Sequence, residues 1–507
     1  MPHIHNPLKD WLTRNRYIIF PALAFVIPLA VRFIPEILMG PYILGFDTLG
    51  VYVPDTLLWL HNGINLWNFL ATAPLFYSIL MLIVGVGGSP VFALKIISPL
   101  LLGFLGLSIF AYAKRVLGWS PTKSTFVALL GTIYFVALRA SWDQLREELS
   151  LVFFFVVLTL LMSLINRKDS SWKHYVVLSL AMIAVVLSHQ LVAVLMFGAI
   201  IGTVAYSVFR RDFKWSIDLV VVSLPAAVYF VIVYLSGVAK SGVLGYSINS
   251  SSLASWTGFA SYQSMLISEG GFFLYCFLPL LPLVAVGLWR FGNLQLRSWL
   301  LLSFILLFIP LSSVSPYRWV LLLTYPLAFY ATDALSRLKS IKWKSFKFTV
   351  HRIAVLYLIL STAILSFGFI FMTSENPFFY FNSEHFNSYA NQIPISMLQN
   401  TISITDCHDT VNALQWFKNN LNSSALLLTH TAFYGWALLT LNSNQVLNYG
   451  FGDPVNAATA ATREGHSQIY LIWWVNGQGW YGQPTVSPSF HEVYSSGKMA
   501  IYSYAPS

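Results

Sequence analysis

The feature that most constrains this chain is a succession of apolar segments, each close to the length of a bilayer crossing. About eleven stretches approach the ~20 residues that carry a helix across ~30 Å of hydrocarbon. They lie at roughly 17–38, 90–113, 122–139, 147–165, 173–188, 190–209, 215–238, 271–289, 297–314, 318–336 and 352–372. Lipid offers the backbone no hydrogen-bond partners, so segments of this length are read as helices that satisfy their own N–H and C=O groups. The composition agrees: 57% of residues are hydrophobic, 9% are charged and the mean hydropathy is +0.67. Soluble domains do not look like this.

Charge then orients the spans. The apolar run at 72–86 is taken as a re-entrant or surface-lying helix, because counting it as a crossing would move the later basic loops outside. With that choice the inner loops hold twenty of the 29 basic residues and five acids, so that side carries +15 and the remainder −5. The overall charge of +10 is therefore a topology signal and not a nucleic-acid footprint. Residues 1–16 lack the apolar core and cleavage site of a signal peptide, so the first span is expected to remain as an anchor in a plasma membrane, with a cytoplasmic N terminus. Arg32 and Glu36, four residues apart in that span, are expected to pair.

Past about residue 373 the character changes to polar and aromatic. Two regions result: a membrane region at 1–372, with its first outer loop and surface helices at 40–88, and an extracytoplasmic domain at 373–507. Apolar spacing in the second region predicts helices at 409–421, 431–441 and 454–464, and strands at 425–429, 445–449 and 468–475. A hairpin at 490–505 turns at Ser496-Gly497. Alternating strands and helices favour a small α/β sheet. Two glycosylation sequons, at Asn249 and Asn422, fall on the same outer side. Cys276 lies within a span and Cys407 in the C-terminal region, so no disulfide framework is implied.

In this topology the outer face collects ionisable residues far apart in sequence. Asp47 and Asp55 are in the first outer loop with His61 beyond them, and Lys95 is near the start of the second span. Asp143, Arg146, Glu147 and Glu148 are in the second outer loop, His189 lies between two spans and Arg318 opens another. Ionisable groups near hydrocarbon are costly and tend to be paired or functional. Carboxylates suit general-base work, and arginine or lysine suits a phosphate. No Walker or dinucleotide-binding fingerprint occurs.

These residues resemble the pattern of the GT-C superfamily of membrane glycosyltransferases, which includes protein O-mannosyltransferases, the lipid A aminoarabinose transferase and archaeal and bacterial relatives. The resemblance rests on Gly45-Phe46-Asp47-Thr48-Leu49-Gly50-Val51-Tyr52, Ala73-Pro74-Leu75 and Ala93-Leu94-Lys95. It continues through 145–154, Ser188-His189-Gln190-Leu191, 315–327 and the outer α/β domain. The chain departs from the superfamily in lacking adjacent acids in the first loop and the WWDYG signature of oligosaccharyltransferases, so block transfer of an oligosaccharide is not expected. What the resemblance implies is inverting transfer of one sugar from a polyprenyl-phosphate donor, such as a dolichyl phosphate, to a hydroxyl of a lipid, glycan or protein at the outer face. Asp47 would be the catalytic base, Arg318, Arg146 and Lys95 would hold the donor phosphate, and His189, Glu147, Asp143 and His61 would line the substrate site.

Each residue has a structural reading beside the functional one. Asp47 could cap the helix that begins near Thr48. Arg146 with Glu147 or Glu148 could form an interfacial salt network, Arg318 could snorkel, and Asp55 is read as solvated. No cofactor is certain. Asp47, Glu147 and His189 are acceptable ligands for a divalent ion, and superfamily members differ in metal use. The competing functions are a transporter or flippase for a lipid-linked glycan and a non-catalytic membrane assembly protein.

Overall fold

The computed structural model describes residues 7–45, 48–165, 172–235, 261–308, 317–338, 350–372, 400–450, 452–475 and 486–505. The first helix, α1, covers Pro7–Leu38. Three short helices follow: α2 (Val53–Asn62), α3 (Leu66–Ala71) and α4 (Pro74–Gly85). Twelve residues of α4 reach only about 18 Å as helix, which suits its reading as a helix that does not cross. The bundle continues with α5 (Pro90–Arg115), α6 (Pro121–Ile133), α7 (Phe135–Asp143), α8 (Leu145–Ile165), α9 (Trp172–Ser188), α10 (Gln190–Phe209) and α11 (Phe213–Phe230). It closes with α12 (Tyr262–Phe277), α13 (Leu281–Arg290), α14 (Leu294–Phe308), α15 (Tyr317–Leu322), α16 (Thr324–Leu338) and α17 (Val350–Phe371).

Local chemistry sets several of these boundaries. Ser89 and Ser120 each accept a backbone N–H bond, from Phe92 and Lys123, and a proline follows each as the first helical residue. The expected spans are helical over their described residues, but three of them are broken. α6 and α7 meet at 59°, α12 and α13 at 93°, and α15 and α16 are separated at Leu323. Proline explains the sharpest of these: Pro279 and Pro282 remove N–H donors at the α12–α13 corner. Among the described residues, five unbroken helices are long and apolar enough to cross a membrane, or seven when each of the two bent pairs counts as one crossing. The chain is thus a multi-span helical membrane protein. Residues 262–270, expected to belong to an outer loop, are the first turns of α12.

The C-terminal region forms a five-stranded mixed sheet in the order β2-β1-β3-β5-β4. Its strands are β1 (Leu426–His430), β2 (Val446–Gly450), β3 (Ile469–Trp474), β4 (Phe490–Ser496) and β5 (Met499–Tyr504). β1 pairs parallel with β2 and β3, while β5 runs antiparallel to β3 and β4. Three helices accompany it: α18 (Cys407–Asn420), α19 (Thr431–Thr440) and α20 (Pro454–Arg463). Gly497 turns the final hairpin at φ 53°, a left-handed conformation that glycine adopts without steric cost.

Two apolar cores hold the molecule together. One fills the helix bundle and includes Tyr112, Phe155, Trp299, Tyr325 and Phe329. The other is shared: Met39, Ile43, Leu44, Leu49, Tyr52 and Tyr77 of the first outer region pack in one cluster with Phe433, Trp436, Trp473 and Trp474 of the sheet domain. At the contact, a Cβ on Gly435 would lie 2.7 Å from the Leu49 Cβ and 2.8 Å from its carbonyl carbon, so only glycine permits this approach of α19 to the loop. The sheet domain is therefore seated on the loop that carries the leading candidate base.

Candidate active site

The break between α7 and α8 organises the site. It turns the chain at Gln144 and places Arg146, Glu147 and Glu148 in the first turn of α8. On the next helical hairpin His189 caps α10, its Nδ1 accepting from the Leu191 N–H at 3.3 Å. Because Nδ1 accepts, the neutral ring carries its proton on Nε2, and Nε2 lies 3.4 Å from Oε1 of Glu147. The same oxygen accepts from Nη1 of Arg318 at 3.2 Å. Arg146, half-buried in the same turn as Glu147, sits with its guanidinium 5.2 Å from the centre of the Tyr52 ring. A small cavity of about 40 Å³ lies beside it, lined by Ala71, Thr72, Ala73, Arg146, His189, Gln190 and Tyr234. That volume holds a few water molecules, the scale of phosphate oxygens and not of a whole sugar.

Four of the predicted residues, Arg146, Glu147, His189 and Arg318, are thus brought together although Glu147 and Arg318 are 171 positions apart. Burial, and after it the positive charges of Arg146 and Arg318, pull His189 well below the usual imidazole range, so it is neutral at physiological pH. Arg146 and Arg318 bring two guanidinium groups to one neighbourhood, and a guanidinium grips a phosphate by charge-assisted hydrogen bonds.

Asp55 belongs to the same neighbourhood. It is half-buried, not solvated, because Tyr77 closes over it and donates to Oδ2 at 2.9 Å. Burial raises its carboxyl above the ordinary range, while the Tyr77 bond and Arg146 act the other way.

Other predicted residues are engaged elsewhere. Lys95 donates to the carbonyls of Glu36 and Tyr42 at 2.8 and 2.6 Å, and its ammonium lies 3.2 Å from the Glu36 carboxylate. Two carbonyls thus take hydrogen bonds from the ammonium, and the carboxylate pairs with it by charge. Arg32 pairs with Glu36 at 2.7 Å, as its spacing suggests, and also donates to the Ser141 carbonyl. Asp143 is held by Arg139 through two bonds, at 2.5 and 2.9 Å, and both side chains are almost completely buried. The sequence reading overlooked Arg139, although its spacing of four from Asp143 on a helix was a usable signal. His61 lies in α2, and its side chain is outside the described residues. Glu148 makes no hydrogen bond through either carboxylate oxygen among the described residues.

Asp47 itself lies outside the described residues, but the backbone on both sides of it is placed. Gly45 has φ 100°, and a Cβ there would fall 2.5 Å from the Trp142 carbonyl oxygen. Thr48 donates to that same carbonyl, and Tyr52 donates to the Asp143 carbonyl at 2.6 Å. From the other side Asn400 of the sheet domain accepts from the Gly45 N–H at 3.2 Å, and Tyr42 is 2.9 Å from His408. The loop is clamped between the α7–α8 break and the sheet domain. Neither Asn400 nor His408 is among the residues that the sequence singles out. Among the described residues no three His, Cys, Asp or Glu side chains converge as a metal-binding set.

No protein-family model and no curated protein matches the chain. Solved structures do. ArnT from Cupriavidus metallidurans bound to undecaprenyl phosphate is 11% identical over 97% of this chain and 100% of its own, with a TM-score of 0.48. Its apo form is 12% identical over 99% and 100%, with a TM-score of 0.49. The arabinofuranosyltransferase AftD from Mycobacteria is 13% identical over 97% of this chain, with a TM-score of 0.50, and this chain spans 40% of AftD's length. At such identities the likeness is one of fold. The chain therefore has a fold similar to that of AftD over the part the two share.

Proposed function

We propose that this protein is an inverting glycosyltransferase that moves a sugar from a polyprenyl-phosphate donor to an acceptor hydroxyl at the membrane face bearing the sheet domain. The observation that carries the reading is the convergence of Arg146, Glu147, His189 and Arg318 beside the clamped loop that holds Asp47. Arg318 and Arg146 bind the donor phosphate and stabilise the charge that grows on it as the bond to the anomeric carbon breaks. Glu147 holds Arg318 in place, and neutral His189 presents its Nε2 proton to Glu147 without adding a competing charge. The acceptor oxygen attacks the anomeric carbon opposite the departing phosphate, and Asp47 takes its proton. The lipid phosphate leaves with the electron pair of the broken bond.

The fold supports this class of chemistry, and a carrier embedded in lipid accounts for a site at the end of a helix bundle with no nucleotide motif. The test is sugar transfer from a labelled polyprenyl-phosphate donor pool in membranes containing matched amounts of wild type, Asp47→Asn or Arg318→Ala. Loss of a general base is expected to lower transfer by about 10² to 10⁴, and loss of one phosphate-stabilising arginine by about 10² to 10³. Unchanged transfer by Asp47→Asn would move the base to another residue. No transfer by wild type from any polyprenyl-phosphate donor would sink the reading.

A further inference from the structure

A second cavity lies at the other end of the bundle and plays no part in the site above. α5 runs from Lys95, which touches the first outer loop, to Tyr112, which donates to Gln295 at 2.9 Å and lies 3.1 Å from Asn293 in the wall of this cavity. Seventeen residues of helix place the two ends about 25 Å apart. The cavity measures about 520 Å³, within the range of small-molecule sites. It opens between the α10–α11 turn and the start of α14, and Arg210 and Arg297 both line it.

Its chemistry is that of an anion site at headgroup depth. Arg210 donates through Nε to the Tyr206 hydroxyl at 3.1 Å, and Arg297 donates through Nη2 to the Phe291 carbonyl at 3.4 Å. A guanidinium has five donors, so each of these bonds fixes the fork and leaves it able to grip a phosphate. Among the described lining residues the one carboxylate, Asp212, accepts from the Trp215 N–H and caps α11. The back wall is polar and anchored, since Gln295 also reaches the Leu158 carbonyl at 3.4 Å. Around the mouth, Phe209, Phe213 and Trp289 are 83%, 57% and 86% exposed at the ends of apolar helices. Exposed aromatics at helix ends mark the boundary between hydrocarbon and headgroups, so the ligand within reach of the two arginines is a lipid phosphate.

We propose that this cavity binds the phosphate headgroup of an anionic phospholipid from the leaflet opposite the sheet domain. A basic pocket between membrane helices beside such a leaflet is suited to that ligand. The lipid ties the α10–α11 turn to α14 across a gap that protein atoms do not fill.

The experiment uses the full chain in nanodiscs of equal phosphatidylglycerol and phosphatidylcholine, followed by native mass spectrometry after transfer to detergent. Wild type is expected to retain phosphatidylglycerol in preference to phosphatidylcholine. Arg210→Gln with Arg297→Gln is expected to weaken that retention roughly thirtyfold, which corresponds to about 2 kcal/mol, or about 1 per arginine. Arg115→Gln with Arg352→Gln, which removes exposed charges outside the cavity lining, is expected to retain the lipid as wild type does. Equal retention of the two lipids by wild type overturns the proposal without reference to any variant. So does an equal loss in both double variants, which would mark a general charge effect. Displacement of the lipid from wild type by excess inorganic phosphate would reassign the cavity to a soluble anion.

Discussion

Arg139 with Asp143, and Arg146 with Glu147, set the same kinds of side chain about two helical turns apart in one stretch of sequence, and His189 and Arg318 join the second group from elsewhere in the chain. The first pair closes on itself. Both carboxylate oxygens of Asp143 meet both terminal nitrogens of Arg139, and both residues are sealed from solvent. In the second group a single carboxylate oxygen is shared between Arg318 and His189, Arg146 lines a cavity, and Arg318 is 18% exposed. An ion pair sealed from solvent holds structure, whereas charged groups beside a cavity are within reach of a ligand. Access to a cavity, and not the presence of charge, separates scaffold from site.

The comparison breaks first at its structural side. Arg139→Met leaves Asp143 buried without its partner and should cost about 3 to 5 kcal/mol, read as a lower thermal midpoint or loss of monodisperse protein in detergent. Adding Asp143→Asn should recover much of that loss, because the buried charge is removed. Equal stability of Arg139→Met and wild type would erase the distinction between the two groups. At the functional side, Glu147→Gln keeps the shape but loosens its hold on Arg318. It should reduce transfer by about 10- to 100-fold, on the order of 1.4 to 2.7 kcal/mol, with a thermal midpoint close to wild type. A matched fall in stability would instead class Glu147 with Asp143.

Gly435→Val tests the seat of the sheet domain on the loop. The added side chain collides with Leu49, and overpacking of this kind costs about 1 to 3 kcal/mol. Faster proteolytic release of the domain, with slower transfer, is the expected result. The smallest effect is one of pH. Burial lowers His430 to about 4, and its Nδ1 accepts the Ala432 N–H, a bond that only the neutral ring can make. The unfolded chain takes up a proton near pH 6.5, so between about 6.5 and 4 it binds more protons than the folded domain. Domain stability should therefore fall as pH drops through that window, by at most about 1.4 kcal/mol per pH unit. His430→Gln should flatten the slope seen in acid titration of domain unfolding.

Much of the sheet domain was legible before its structure. The helix expected at 409–421 occupies Cys407–Asn420, the strand at 468–475 occupies Ile469–Trp474, and the hairpin turns at the expected Ser496-Gly497. Periodicity and turn chemistry are local, so they survive the loss of the third dimension. The breaks in the spans were less legible: Pro279 and Pro282 signal one of them, but no proline precedes the bend at Tyr134. Lys95 shows the limit for site residues. A lone lysine at the head of an outer-facing helix reads as a phosphate ligand, and only packing reveals that α1 and the loop after it have already claimed its donors.

The sequence by itself determined that this chain lives in a membrane and that a region of mixed strands and helices follows the last apolar span. Those properties depend on residue type, spacing and solvent preference along the chain. Tertiary structure alone decided which charges meet. Arg318 reaches Glu147 across 171 residues, Asn400 reaches Gly45 across 355, and Arg139 takes Asp143 out of use four residues away. Coulomb and hydrogen-bond energies fall off over a few ångströms, so the composition of a site is set by contacts that chain order does not encode.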